Sequence, residues 1–425
     1  MAHLSPRAAA TARILPFPSQ VELRATGPMR LLTFSSLYPN TAQPNHGIFV
    51  ENRLRHLVES GAATSTVVAP VPWFPSRDAR FGEWARCAAA PAEEMRHGLR
   101  VLHPRYAAPP RLGMYTGPWA LLRAGRAALA QLIAEGERFD AIDAHYLYPD
   151  GVAAVWLARE AGLPVVITAR GSDTSQLPRF AVPRRLIVAT LREADALIAV
   201  SAGLAEGLIA LGAAPGKVTV LRNGVDLAAF APPTDRGALR AELGLSGPVV
   251  LSVGHLIERK AHHHAIGALA ELPGASLLIA GEGPERAALT ALAERLGVAK
   301  RVHLLGARPH GELAKLYGAA DVLVLASTRE GWANVMLEAM ACGTPVVAGP
   351  AWGSREAISA PEAGLVLDKV GPGPIAQALR QMLANPPARW ATRAHAERFG
   401  WGEIAGTGHH SGLCCRADDF RIGVG

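Results

Sequence analysis

No stretch of this sequence runs to 18 consecutive apolar residues, which excludes a membrane-spanning helix on length. Cysteine is scarce. Cys87, Cys342, Cys414 and Cys415 form no spaced framework, which argues against a disulfide scaffold and for a reducing compartment. Metal-ligand spacing is missing as well. His409-His410 and Cys414-Cys415 are adjacent pairs with no CxxC-type spacing, and His262, His263 and His264 point in different directions around a helix. Residues 1–28 contain no apolar core of the kind a secretory signal needs, and Glu22 is their one acidic residue. Met29 directly precedes the first strand-like run, so residues 1–28 are expected to be a disordered or misassigned extension.

What is present describes a soluble α/β protein. At 425 residues the chain is too long for one ordinary core, and 49% hydrophobic with 19% charged residues is a globular composition. A net charge of +7 suits an anionic ligand or an anionic membrane surface. Short apolar runs at 31–34, 65–69, 141–144, 165–168, 196–200 and 218–221 alternate with helical patterns at 49–60, 118–134, 151–161, 183–193 and 202–211. That rhythm predicts βαβ units and a mostly parallel sheet. The Pro- and Arg-rich interval 71–117 breaks it and reads as loop with one or two irregular strands. Asn223-Gly224-Val225-Asp226 is a turn signal, and Ala231-Pro232-Pro233 stiffens the segment after it. A second series then begins, with strands at 249–253, 276–280, 302–305, 321–326, 344–348 and 364–367. Its helices are expected at 262–272, 284–296, 311–317, 335–341 and 374–384, with Pro284 suited to a first helical turn. Two Rossmann-like domains, 29–230 and 231–401, are expected to face each other across a deep cleft. Residues 402–425 carry six glycines and no periodicity, and read as an irregular tail left by a frameshift or truncation.

The chemistry concentrates between two strand-like runs, from Glu330 through Gly331, Trp332, Ala333, Asn334 and Val335 to Glu338. A retaining glycosidase pair needs carboxyls about 5–5.5 Å apart and an inverting pair about 6.5–9.5 Å. Eight residues along a helix advance about 12 Å, and Gly331 puts Glu330 in the loop, so spacing does not support a hydrolytic pair. A loop leading into a helix at the carboxyl edge of a parallel sheet suits phosphate between the glutamates, with each carboxylate accepting ligand hydroxyls. That describes a nucleoside diphosphate sugar. The loop Gly254-His255-Leu256-Ile257-Glu258-Arg259-Lys260 supplies the counterpart, cations able to meet charge on a leaving diphosphate. Lys260 is the stronger candidate, with Arg259 or His255 as helper. In the first half, Gly47 leaves room for close ligand approach, and His145 closes a strand where it can bond a hydroxyl or move a proton. Arg170 and Asp173 follow the next strand toward the same cleft.

Together these motifs, with Gly281-Glu282-Gly283-Pro284-Glu285 and the run from Ala339 to Val347, resemble glycosyltransferase family 4, the retaining group 1 enzymes of GT-B fold. The resemblance covers about 29–401. It implies that Glu330 contacts donor-sugar hydroxyls, Glu338 the ribose, and Ala307-Arg308 the base. Backbone N–H groups near Asn334 and Val335 would cradle the distal phosphate, and Lys260 would neutralise the leaving diphosphate. It places His145 beside the sugar, the acceptor on the first domain with Arg170 and Asp173, and the catalytic burden on His145, Lys260 and Glu330. No metal or cofactor is implied. The expected partners are a nucleotide-sugar donor and a glycan or lipid-linked acceptor in polysaccharide or envelope synthesis, and no nucleic acid. The expected location is cytoplasmic, with peripheral contact on the inner membrane face through Arg179, Arg184, Arg185 and Arg192. Ala261 stands where relatives have Gly, which would strain a left-handed junction there. The alternatives are a catalytically impaired nucleotide-sugar-binding protein, and a GT-B nucleotide-sugar epimerase or phosphorylase-like enzyme.

Overall fold

The computed structural model describes residues 27–402, so the expectations for the N-terminal extension and the tail fall outside the described residues. The first unit contains β1 (Met29–Phe34), β2 (Ala63–Val68), β3 (Val71–Pro72), β4 (Glu93–Arg96), β5 (Leu99–Leu102), β6 (Arg105–Tyr106), β7 (Ala141–His145), β8 (Val165–Ala169), β9 (Ala196–Ala199) and β10 (Val218–Val220). Eight of these form a sheet in the order β10-β9-β8-β7-β1-β2-β5-β4, while β3 and β6 pair separately. Only the edge hairpin β4–β5 is antiparallel in that sheet. The second unit is a wholly parallel sheet of β11 (Val249–Val253), β12 (Ser276–Ala280), β13 (Val302–Gly306), β14 (Val322–Leu325), β15 (Val346–Ala348) and β16 (Gly364–Val366), ordered β13-β12-β11-β14-β15-β16. All residues of β11 and β14 are buried, as continuous apolar strands covered by helices on both faces must be.

Both sheets reverse their strand order beside their first strand, at β1/β7 and at β11/β14. Ligands bind at such switch points, outside the carboxyl ends of the strands. The loops leaving β1, β11 and β14 converge there on one cavity.

Three local expectations need correction. The interval 71–117 is more ordered than its composition suggested, holding the β4–β5 hairpin and a helix at Glu83–Ala89. Hairpin and helix are both short, which weakens periodicity as a signal. Pro118 does not open its helix, which runs Gly113–Ala134 with the proline inside. Proline leaves the carbonyl four residues back without its usual partner, and here the Tyr148 hydroxyl donates to that carbonyl of Met114. Pro284 lies just before the helix Arg286–Arg295.

Phe399, Gly400 and Trp401 bring the chain back onto the first unit. Val225 N–H donates to the Phe399 carbonyl at 2.9 Å, Val225 pairs with Gly400, and the Trp401 ring stacks on His56 at 4.9 Å. Nearer the cleft, Trp352 lies across the helix Ala202–Ala210 at Gly203 and Gly207, one turn apart. Glu356 accepts from Arg222 Nε and from the backbone N–H of Ala202, both at 2.8 Å. These contacts hold the units together over the cavity.

Candidate functional site

The cavity measures about 960 Å3 and is walled by both units. Its lining carries five Arg or Lys side chains (Arg86, Arg170, Arg259, Lys260, Arg329) against three carboxylates (Glu83, Glu282, Glu330). That excess of positive charge suits a ligand bearing two negative charges.

The second unit supplies the charged centre. Lys260 Nζ lies 2.5 Å from Glu330 Oε1, and Arg259 Nη1 lies 3.6 Å from Glu330 Oε2, so each carboxylate oxygen faces a cation. Gly254 allows this, because a Cβ there would come within 3.3 Å of the Lys260 Cδ and Cε atoms. The loop is held from behind by His262, whose Nδ1 lies 3.0 Å from Ser252 Oγ and whose Nε2 reaches the His255 carbonyl at 3.3 Å. Burial pushes His262 down to about 4, so at neutral pH it is an uncharged pin and not a proton carrier. Ala261 adopts φ 53°, ψ 37°, so the left-handed junction is present and is borne by a residue with a Cβ.

Gly331, Trp332, Ala333, Asn334 and Val335 all line the cavity, and the helix Asn334–Ala341 starts there with its first N–H groups free of intrahelical partners. The loop rests on the other unit. A Cβ on Gly331 would stand 2.2 Å from the Arg170 carbonyl oxygen, and one on Gly171 (φ 127°) 3.0 Å from Gly331 Cα. Asp173 shapes that seat by accepting the backbone N–H groups of Leu147 (2.9 Å), Arg170 (3.1 Å) and Gly171 (2.7 Å). Burial raises the Asp173 carboxyl and these bonds oppose the shift.

Gly47, His255, Arg259, Lys260, Glu330 and Arg170 are thus brought to one cavity, as expected. Other expected contacts do not reach it. His145 is 1% exposed and sits behind Arg170, with Nε2 3.0 Å from Asp143 Oδ2 and Nδ1 2.7 Å from Arg170 Nη2. Arginine has no acceptor, so it donates to Nδ1, which leaves the proton on Nε2 and the ring neutral. Burial lowers His145 in the same sense. Glu338 accepts from the Tyr317 hydroxyl at 2.9 Å, away from the lining, because the first helical turn carries it toward the core. Burial raises its carboxyl. Ala307 and Arg308 follow β13 outside the cavity wall, where Arg308 pairs with Glu312 at 3.1 Å on the surface. Asp173 acts on backbone and does not line the cavity.

Sequence reasoning missed several wall residues. Asn223 belongs to a turn motif that was given no ligand or positioning role, yet it bonds Arg170 and Asn334. Trp352 carried no motif, and Tyr146, whose hydroxyl lies 2.5 Å from Ser172 Oγ, follows His145 without periodic signal.

Comparison with known proteins places this arrangement. The sucrose-phosphate synthase of Thermosynechococcus elongatus superposes with a TM-score of 0.72 at 23% identity, over 90% of this chain and 98% of that one. HepE of Anabaena in complex with UDP gives 0.69 at 24% identity, over 90% and 99%. Fold and cleft together therefore define a GT-B protein, two α/β units closing on a site at their facing switch points. Residues 235–399 match the family described as glycosyl transferases group 1, and residues 48–229 match glycosyltransferase family 4. D-inositol 3-phosphate glycosyltransferase 1 of Catenulispora acidiphila is 32% identical over 414 residues, 89% of this chain and 94% of its own. The chain belongs to the group 1 glycosyltransferases.

Proposed function

We propose that this transferase moves a sugar, with retention and without a metal ion, from a nucleoside diphosphate sugar to a hydroxyl of a glycan or lipid-linked acceptor. One observation carries the reading. Lys260 and Arg259 flank Glu330 beside the free N–H end of the helix Asn334–Ala341, inside a cavity shared by both units. A diphosphate placed there would take the helix N–H groups and draw Lys260 and Arg259, releasing Glu330 to accept hydroxyls of the sugar. The bond from the anomeric carbon to the diphosphate oxygen breaks, the acceptor oxygen bonds that carbon from the same face, and the hydroxyl proton passes to the departing diphosphate oxygen. Charge on the departing diphosphate is met by fixed cations and dipoles, the part a divalent ion would otherwise play.

HepE holding UDP supports a nucleotide donor, and relatives named for inositol 3-phosphate fit a first-unit wall that carries Arg86. No described helix is long and apolar enough to cross a membrane. Peripheral contact is part of the proposal, because Phe180 and Val182 are exposed beside exposed Arg179, Arg184, Arg185 and Arg192. Co-sedimentation with anionic vesicles, lost when those arginines become Ser, tests the contact.

The central test is donor hydrolysis and transfer with a panel of UDP-, GDP- and ADP-sugars, with Glu330→Ala and Lys260→Ala beside the unaltered chain. Turnover of one sugar conjugate, lost in both variants, is expected. Tight nucleotide binding without turnover in the unaltered chain would overturn the transferase reading in favour of a binding protein.

A further inference from the structure

Five side chains form one continuous hydrogen-bonded chain through the floor of the cleft. Asp143 Oδ2 lies 3.0 Å from His145 Nε2, and His145 Nδ1 lies 2.7 Å from Arg170 Nη2. Arg170 Nη1 donates to Asn223 Oδ1 at 3.1 Å, and Asn223 Nδ2 donates to Asn334 Oδ1 at 3.1 Å. The first four belong to the first unit, and Asn334 opens the helix whose start faces the cavity.

The direction of every bond follows from one residue. A guanidinium can only donate, so Asn223 must turn its oxygen to Arg170 and its NH2 to Asn334. Asn334 must then offer its oxygen to Asn223, and its own NH2 is left for the cavity it lines. The reverse amide orientation would set NH2 against guanidinium and then oxygen against oxygen. Arg170 cannot easily turn away, because it is half-buried, stacked over the Phe49 ring at 4.9 Å and engaged at both terminal nitrogens. Burial lowers it to about 9, which leaves it protonated at neutral pH.

We propose that Arg170 acts through Asn223 to hold the Asn334 amide with its NH2 toward the cavity, making Asn334 a side-chain donor to a phosphate oxygen of the nucleotide donor. Arg170 and Asn223 are positioning residues, and Asn334 is the ligand contact. The first unit thereby sets the polarity of a donor-binding group on the second, so donor affinity depends on the two units being docked. This inference rests on the nucleoside diphosphate sugar reading.

The test is a double-variant cycle on nucleotide affinity, measured by calorimetry with UDP, GDP and ADP, alongside donor KM and kcat. Asn334→Ala is expected to weaken binding about 10- to 100-fold, as for a lost bond to a charged group. Asn223→Asp keeps the bond from Arg170 but cannot donate to Asn334, so the Asn334 amide turns its oxygen to the phosphate. A comparable loss is expected, confined to donor affinity and donor KM, with kcat little changed. In the Asn334→Ala background the same Asn223→Asp change should cost less than about threefold. Asn223→Ala, which leaves the Asn334 amide free to rotate without adding charge, should give a smaller loss that also vanishes in that background. It serves if the aspartate variant does not fold. An equal cost of the Asn223 changes in both backgrounds would overturn the proposal, since Asn223 would then act independently of Asn334. If the unaltered chain binds none of the nucleotides, the donor reading itself falls and this inference with it.

Discussion

Gly203→Ala separates the stability of the first unit from the docking of the two. Gly203 lies in the first turn of the helix Ala202–Ala210, and a Cβ built on it would stand 2.9 Å from Trp352 Cδ1 and 3.2 Å from Cγ. Carbon atoms pack at about 3.5–4.0 Å, so the indole or the helix must withdraw by roughly 0.6–1 Å. Trp352 has little freedom to do so. It is followed by Gly353 at φ 77°, where a Cβ would be 2.8 Å from Trp332 Cε3. Overpacking of this kind costs about 1–3 kcal/mol, and here the cost falls only on the docked arrangement, which makes that arrangement about 5- to 150-fold less populated relative to the separated one. Within the helix alone the change acts the other way, since Ala is favoured over Gly by up to about 1 kcal/mol. The expected result is therefore a thermal midpoint nearly unchanged or slightly raised, a fall in kcat/KM, and a larger radius of gyration by small-angle scattering. Gly216→Ala, in a turn where a Cβ meets nothing within 4 Å, is the neutral control. A raised midpoint with kcat/KM and scattering both unchanged would refute the reasoning, because Trp352 would then be yielding without cost.

Lys260→Met should lower turnover about 10²- to 10³-fold through lost stabilisation of the leaving group. The same change should destabilise the fold by about 1–3 kcal/mol, less than breaking a fully isolated buried pair because Arg259 still faces Glu330 at 3.6 Å. Denaturant unfolding beside single-turnover kinetics separates the two, and turnover within threefold of the unaltered chain would count against Lys260. Asp150 gives a pH signature. It accepts from the backbone N–H and hydroxyl of Ser36, and burial raises it from 3.8 to about 6. Between those values the folded chain binds its proton more strongly than the unfolded chain, so its contribution to stability falls as pH rises through the window. The span of about two units corresponds to about 3 kcal/mol. Asp150→Asn should remove that decline between about pH 4 and 6, and superimposable stability–pH curves for the two proteins would refute it.

Much of the second unit was legible in the sequence because its signals are local. A fully buried parallel strand reads as an unbroken apolar run, and Val249–Val253 or Val322–Leu325 can be little else. The loop ending in Lys260 and the loop from Glu330 to Val335 each follow such a strand, so their place at the carboxyl edge of the sheet comes with the connectivity. The same logic brought Arg170 to the cleft. It gave no means of seeing that the strand-end His145 lies beneath Arg170, because depth at a sheet edge depends on what a neighbouring strand's loop lays over it. Glu338 shows the limit within one helix, since a start shifted by a residue turns a side chain by about 100°, here toward Tyr317.

By itself, then, the sequence determined two α/β units, the strands whose ends carry the chemistry, and the cation and carboxylate that meet at Lys260 and Glu330. Those come from periodicity and from chain order, which act over a few residues. Tertiary structure alone decided which residues of one unit touch the other. Trp352 against Gly203, Gly331 against Gly171 and Asn223 against Asn334 are contacts across more than a hundred positions of chain. No local pattern encodes them, because each depends on the angle at which two separately folded sheets are docked.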